Sequence, residues 1–528
     1  MAVSREHPPT AIEKGDGSQP RVHIASRVIV AHSPRTGDVL GQVSVATPLH
    51  IQTAFAEARL GQIAWEGIGV QRRLVFIRAL RDALYRQRER IISTLMAEQG
   101  KVLAEAQFEH LAVMEMVDHY LRIGERVLAP VPVTVRLQPH RRFVIERRPY
   151  GVVLVISPWN YPLFLSVGPI VGALLAGNSV IYKPSEYATQ VGEVIAAAIA
   201  EAGIPPEVFH ILHGDGAVGK ALIEAHPDKI AFTGSVPTGK KIARAAAEKL
   251  IPTMLELGGK DAALVLEDAD IPHTARGIIW AGMFNAGQTC ASVERVIVVR
   301  QVADRLLEEM KRAVQEHLLD PAGRPVLSTL AAVTTPFQIE IVETQVNEAV
   351  AGGARVIIGG RRLRELGGQF YAPTILADVT PEMRICREET FGPVVAVLQA
   401  KDEQDAIRLN NDSAFGLTAS VWTRDRERGL RVARQLRVGH VSVNSHLVIS
   451  GISEVPWGGV KESGYGRMHG EEGLLQMTCS QTVDVERVRL PVEPFWYPYH
   501  LAKLSLARRL VDALYGPTLK DRLRAFWR

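Results

Sequence analysis

Apolar positions recur three and four apart through Ala54–Ala58, Gln71–Arg90 and Ile91–Gln99, which predicts helices with one buried face. From Val152 the pattern changes. Short β-branched runs, Val152–Ile156, Ser179–Tyr182, Val208–Leu212 and Lys229–Phe232, alternate with helical stretches such as Val191–Ala202 and Val218–Ala225. Such alternation predicts right-handed βαβ units in an open parallel sheet, with ligands at the carboxyl ends of the strands. Val265, Val296–Val299, Val356–Ile358, Val394–Leu398 and Val441–Val443 predict a second unit of the same kind. Pro132–Leu137 and Phe143–Glu146 alternate in period two like a β-hairpin, and Gln481–Val488 repeats that pattern. The fold class is α/β, with two doubly wound parallel-sheet (Rossmann-like) domains, a β-hairpin arm and a C-terminal helical extension.

Tyr150 to Tyr182 carries no charge, long enough on paper for a membrane span. Pro158, Pro162 and Pro169 cut it into short pieces, and Val152–Ile156 reads as a buried strand, so a buried α/β segment is expected instead. The 528 residues are 47% hydrophobic and 22% charged, enough for two or three domains. Met1 to Pro20 is polar, lacks the apolar run of a signal peptide and reads as a mobile lead-in. Net charge is +4, but Tyr499 to Arg528 alone holds seven Lys/Arg against two Asp. The remainder is near neutral, which gives no case for a nucleic-acid-binding body. Three cysteines argue against a disulfide framework and for a reducing, cytoplasmic setting, and no metal-ligand spacing is visible.

Chemistry enters with Phe284-Asn285-Ala286-Gly287-Gln288-Thr289-Cys290, which presents a thiol among small residues just before a strand. Alone, such a cysteine is ordinarily a small core hydrophobe. Met254-Leu255-Glu256-Leu257-Gly258-Gly259-Lys260 adds a carboxylate 34 residues upstream. Four further motifs follow the same order: Pro158-Trp159-Asn160-Tyr161-Pro162, Lys183-Pro184-Ser185-Glu186, Phe232-Thr233-Gly234-Ser235 and Glu388-Glu389-Thr390-Phe391-Gly392-Pro393. Together these segments resemble the aldehyde dehydrogenase superfamily, over about residues 25–488.

The resemblance implies Cys290 as nucleophile, Glu256 as general base and the Asn160 amide, with the Cys290 N–H, as oxyanion donors. It implies that Trp159, Lys183, Glu186, Gly234, Ser235, Glu389 and Phe391 bind NAD. Glu186, accepting from a ribose 2′-hydroxyl, favours NAD over NADP. Gly214-Asp215-Gly216-Ala217-Val218-Gly219 also satisfies the dinucleotide fingerprint, but the resemblance moves the pyrophosphate to the helix after Ser235, whose side chain is expected to cap it. The implied domains are residues 21–127 with 148–257 for NAD, 258–477 for catalysis, and 128–147 with 478–490 as an arm joining a homodimer or homotetramer. Residues 1–20 are the lead-in and 491–528 an extension.

A thiolate adduct makes the aldehyde hydrogen leave as hydride, and a base such as Glu256 then hydrolyses the thioester to an acid. Pro169 stands where many hydrolytic relatives carry a lysine thought to work with a distal glutamate, matched here by Glu471. Glu471 is thus either a lone proton exit or a surface acid. Cys386 and Cys479 read as packed or incidental thiols, and His446 as a wall residue rather than a catalyst. Tyr161, Leu165, Gly168, Met283, Phe284 and Trp457 are expected to line an apolar aldehyde tunnel, with Gly168 leaving room for medium-chain, long-chain or aromatic substrates.

Phe495-Trp496-Tyr497-Pro498-Tyr499 leads into a basic amphipathic helix. It docks on a subunit or, as the less favoured reading, lies on a membrane surface. The competing functional readings are a CoA-acylating relative and a non-catalytic structural one.

Overall fold

The computed structural model describes residues 28–527, except 492 and 494; counts below refer to those residues, and the Met1–Pro20 lead-in lies outside them. The chain forms two compact units. One comprises the described part of Met1–Ala129 with Arg147–Cys479, and the other Pro130–Glu146 with Ser480–Arg528. The second unit therefore takes in both the expected arm and the expected C-terminal extension.

The first unit contains two largely parallel sheets. One has six strands in the order Gly464–Tyr465, Thr253–Glu256, Lys229–Thr233, Val152–Ile156, Ser179–Lys183, Phe209–Ile211, and only the Gly464–Tyr465 pairing is antiparallel. The other has seven, in the order Arg355–Ile358, Thr374–Ala377, Val394–Ala400, Val293–Val299, Asp261–Val265, Thr418–Trp422, His440–Val443. Its one antiparallel pair is Arg355–Ile358 with Thr374–Ala377. Their central strands are buried on both faces, as a parallel sheet between helix layers requires. Thr374–Ala377 and Thr418–Trp422 were not foreseen, because Thr, Ala and Ser interrupt their apolar runs.

Three helical expectations change. The first helix runs over Pro48–Gly67, started by the Thr47 side chain accepting from the His50 N–H, with Pro48 in the first turn. The boundary between the two expected helices Gln71–Arg90 and Ile91–Gln99 moves back to Gln87, giving Gly69–Arg86 and Arg88–Gln99. Positions 87 and 88 carry no apolar residue to continue the stripe, and the Gln87 side chain is drawn to Glu201 at 2.6 Å. Pro169 does not cut the chain: Phe164–Ala176 is one helix that passes through it, buried at every residue. A proline there leaves the Leu165 carbonyl without its helical donor, and the Ser157 hydroxyl donates to it at 3.3 Å. Among the described residues, no helix is long and apolar enough to cross a membrane.

The second unit carries most of a three-stranded sheet, Thr478–Glu486 beside Arg141–Pro149 beside Val131–Val133. The hairpin strand expected to reach Leu137 stops at Val133, paired with Phe143. The connection is long rather than a two-residue turn, so the ladder closes early. Two helices follow, Leu501–Tyr515 and Leu519–Trp527.

Gly168 packs where Phe164–Ala176 crosses the long helix Leu103–Leu128. A Cβ there would lie 2.8 Å from Met116 Sδ, so the room expected from this glycine is already filled by a buried methionine. Gly168→Leu is expected to lower stability by about 1–3 kcal/mol through overpacking, read as a lower urea midpoint. An unchanged midpoint would mean that Met116 yields freely.

Candidate active site

Cys290 is delivered by a strained turn. After the helix Ile271–Met283, three successive residues adopt left-handed backbone, Asn285 (φ 55°), Ala286 (φ 52°) and Gly287 (φ 70°), before Val293–Val299 begins. Only glycine suits the third place: a Cβ would sit 2.0 Å from the Gly392 carbonyl oxygen. Left-handed non-glycine residues persist where surroundings over-determine them, and here they do. The Asn285 N–H donates to Glu105 Oε1 at 2.7 Å and its amide donates to the Asn160 carbonyl at 3.1 Å. The buried Gln288 side chain donates to the Ala332 carbonyl and accepts from the Thr334 N–H.

Asn160 follows the strand Val152–Ile156, and its Nδ2 donates to the Gln288 carbonyl at 3.0 Å, which ties it to the nucleophile's turn. That bond occupies one of two amide hydrogens. Glu256 ends the strand Thr253–Glu256, is 3% exposed, and neither of its oxygens has a hydrogen-bond partner. Burial pushes its carboxyl well above the ordinary value, tempered by the Arg467 charge. A bland pairing with Lys260 fails, because Lys260 instead bonds Glu294 and, at 2.8 Å, Thr390 Oγ1. Burial, then the charges of Asp261, Glu389 and Glu256, raise the Cys290 thiol above its usual value.

A cleft of about 1340 Å³ joins these groups. Cys290, Glu256 and Asn160 line it with Leu165, and so do Trp159, Phe391 and Glu389. Lys183, Glu186, Gly234 and Ser235 line its other reach, at the carboxyl ends of the first sheet's strands. Lys183 is not the surface group of a solvated turn: it is buried, donates to the Pro184 carbonyl at 2.9 Å and lies 3.9 Å from Glu186. Trp159 and Phe391 meet edge to face, with centroids 5.4 Å apart. Glu389 accepts from the Gly259 N–H at 3.0 Å and is pushed up to about 8, first by burial and then by Glu294.

Two helix starts face this cleft, and they differ. Asp215 caps Gly216–Glu224, accepting from the Ala217 and Val218 N–H groups, which removes donors a pyrophosphate in that loop would need. Val236–Ala247 has no side-chain cap, because Ser235 Oγ bonds Thr238 Oγ1 at 3.1 Å rather than capping as expected. The uncapped start suits an anionic ligand. A cleft this long, with an open helix start at one end and an aromatic pair near the thiol at the other, fits a nicotinamide dinucleotide.

The expected tunnel residues do not gather in the same way. Apart from Leu165 they lie outside the cleft's lining. The Tyr161 hydroxyl bonds Thr289 Oγ1 at 2.9 Å, and Lys101 Nζ sits 3.8 Å from its ring centroid. Met283 is buried, and Phe284 packs on Trp280 and Phe108. Trp457 stacks on His440 with centroids 4.5 Å apart, and Gly168 faces Met116. Glu471 pairs with Arg126 at 2.5 Å on the surface, which favours the surface-acid reading. Cys386 and His446 are buried packing residues, with His446 held by Ser420 and Thr418. Cys479 is partly exposed and donates weakly to the carbonyls of Arg148 and Pro149.

Several supporting residues went unread in the sequence. Glu105 and Glu109 fall on the same face of Leu103–Leu128 as Val113, Met116 and Tyr120. Carboxylates inside an apolar stripe were the available signal. Glu109 pairs with Lys101 at 3.2 Å, both fully buried, and accepts from the Leu163 and Phe164 N–H groups. Glu294 accepts from Lys260 and from the N–H groups of Thr390 and Phe391, and so fixes the loop that carries Glu389.

Comparison with known proteins agrees with this geometry. The model of the aldehyde dehydrogenase family matches residues 22–483. A 4,4′-diapolycopene aldehyde oxidase of Methylomonas sp. is 39% identical over 493 residues, 92% of this chain and 91% of the relative. A putative NADP(+) succinate-semialdehyde dehydrogenase of Mycolicibacterium smegmatis is 37% identical over 86% of this chain and 88% of its own. Among solved structures, an NAD-dependent aldehyde dehydrogenase from Sinorhizobium meliloti superposes with a TM-score of 0.83 at 32% identity, covering 90% and 95% of the two chains. A betaine aldehyde dehydrogenase variant from Staphylococcus aureus in complex with NAD+ gives 0.84 at 28% identity, covering 90% and 96%. With a cysteine, a buried carboxyl and an amide converging on a dinucleotide-sized cleft, the chain belongs to the aldehyde dehydrogenase family and is an aldehyde dehydrogenase.

Proposed function

We propose that this enzyme oxidises an apolar aldehyde to the free carboxylic acid with NAD as the preferred cofactor. The observation that carries the reading is Glu256, a buried carboxyl with both oxygens unpartnered in the cleft that holds Cys290. Burial raises its pKa above the ordinary carboxyl value, which suits a group that alternately takes and gives a proton.

Cys290 is held as a neutral thiol, so its proton passes to Glu256 as sulfur bonds to the aldehyde carbon. The carbonyl oxygen is received by the second Asn160 amide hydrogen and the Cys290 N–H, each such donor contributing about 3 kcal/mol to the transition state. A bound nicotinamide dinucleotide supplies the hydride acceptor, held by Lys183 and Glu186 at the adenosine ribose, the uncapped helix after Ser235 at the pyrophosphate, and Glu389 with Phe391 and Trp159 at the nicotinamide end. Departure of hydride from the carbon of this oxyanionic adduct leaves a thioester on Cys290, and Glu256 releases the former thiol proton to solvent. Glu256, once deprotonated, takes a proton from water as its oxygen attacks the thioester carbon. The acid departs, and the sulfur regains a proton.

The apolar substrate reading rests on Leu165 lining the same cleft as Cys290 and on Lys101, the cation under Tyr161, being engaged by Glu109 rather than free for a substrate carboxylate. A relative named for 4,4′-diapolycopene aldehyde supports it, and the relatives named for succinate semialdehyde mark the alternative. Because Gly168 is filled by Met116, extra room there no longer contributes to the reading. We also read the three-stranded sheet of the second unit as the element that joins a homodimer or dimer of dimers, in a cytoplasmic enzyme.

Cys290→Ala should abolish NADH formation on an aldehyde panel. Glu256→Gln should slow turnover by about 10²–10⁴-fold and slow the first-turnover formation of NADH as well, because thiol deprotonation and thioester hydrolysis both lose their base. Acyl-CoA formed on adding coenzyme A would instead point to an acyl-transferring relative. In the free enzyme, burial keeps thiolate scarce, so iodoacetamide alkylation of Cys290 should still climb between pH 8 and 9, past the ordinary thiol value of about 8.5. A plateau below pH 8 would contradict this. Glu186→Ser should raise the NADP-to-NAD ratio of kcat/KM by about tenfold or more, by removing a charge that opposes the 2′-phosphate. An unchanged ratio would count against the NAD preference.

A further inference from the structure

The catalytic chemistry leaves residues 495–527 unused. Trp496, Tyr497 and Tyr499 are 65%, 82% and 56% exposed, in a segment tied to the following helix by Lys503, which donates to the carbonyls of Glu493 and Trp496. On Leu501–Tyr515, the exposed Leu504, Val511 and Tyr515 share a broad apolar side with Leu510, while Ser505, Arg508, Arg509 and Asp512 occupy the narrower opposite arc. Leu519 and Leu523 of the next helix are exposed as well.

We propose that residues 495–527 form a docking element for an anionic lipid bilayer, seating the enzyme on a membrane surface without crossing it. At 15 residues the helix Leu501–Tyr515 spans about 22 Å, short of the roughly 30 Å hydrocarbon core. It therefore lies in the interface or stays off the membrane. Three features point to the interface. Amphipathic Trp and Tyr rings favour the headgroup level. The basic charge of the chain is concentrated in this segment, with seven Lys/Arg against two Asp between Tyr499 and Arg528 and near neutrality elsewhere, which complements an anionic leaflet. Long basic side chains beside apolar ones can bury their stems while their charges remain among headgroups.

A second copy of the chain is a poorer occupant. The cores of protein interfaces are depleted in charge, whereas this segment concentrates basic charge, with Arg508 and Arg509 bordering its apolar side. A single amphipathic helix binds membranes weakly, but here an aromatic segment and a basic cluster add to it.

Sedimentation of the full-length protein with vesicles tests this without any aldehyde turnover, so its outcome is separable from the proposed reaction. The protein should pellet with phosphatidylcholine vesicles containing phosphatidylglycerol and remain in solution with phosphatidylcholine alone. The double substitution Arg508→Glu, Arg509→Glu should weaken binding by about tenfold or more, as should Trp496→Ser to a smaller degree. Both variants should keep wild-type turnover of a short soluble aldehyde, which controls for folding. Absence of pelleting with the anionic vesicles, or equal pelleting of the charge-reversed variant, overturns the proposal. So does a soluble protein whose oligomer becomes smaller when residues 491–528 are deleted, which would assign the surface to a subunit contact.

Discussion

Glu105 and Glu109, one turn apart on the helix Leu103–Leu128, hold the two catalytic segments by their backbones. Glu105 accepts the N–H of Asn285, where the strained turn to Cys290 begins, and Glu109 accepts those of Leu163 and Phe164, just past Asn160. Burying two carboxylates is costly unless they are paired and hydrogen-bonded. Lys101 supplies the pairing, since it is fully buried with Glu109 and its charge also favours ionised Glu105. Removing one member leaves an uncompensated buried charge, so the cluster is retained or lost as a set. Its benefit is geometric, because Asn160 and Cys290 come from different sheets and must meet to within ångströms.

The same burial sets the electrostatics. Cys290, Glu256 and Glu389 share one poorly solvated cleft, where burial raises the pKa of all three and the charges of Glu389 and Glu256 raise that of Cys290 further. The raised thiol favours its protonated form, so a neighbouring proton acceptor is needed to generate thiolate. Glu256 can serve because no neighbour spends its oxygens. Lys260 does not neutralise it, being committed to Glu294, whose remaining capacity fixes the N–H groups of Thr390 and Phe391. One ion pair thus leaves the base free and positions the cofactor loop.

Much of the fold was legible along the chain. The strand–helix alternation after Val152 located every strand of the first sheet except Thr253–Glu256 and its short antiparallel edge at Gly464–Tyr465, because parallel strands buried on both faces read as unbroken apolar runs. Boundaries failed where a polar contact overrode periodicity, at Gln87 and at Pro169. Of the candidate site, the residues carried by motifs share one cleft, while the tunnel residues other than Leu165, inferred one position at a time, lie in packing contacts outside that lining. A motif records a whole local geometry. A lone apolar residue is equally compatible with a wall and a core.

The amino-acid sequence by itself determined the α/β architecture and brought forward Cys290, Glu256 and Asn160, since periodicity and motif order are properties of the linear chain. Only the tertiary structure decided that Glu256 is unpartnered, that Met116 fills the space at Gly168, and that Glu471 sits on the surface with Arg126. Each of these depends on which side chains from distant segments occupy the same few ångströms, and neither spacing nor composition carries that information.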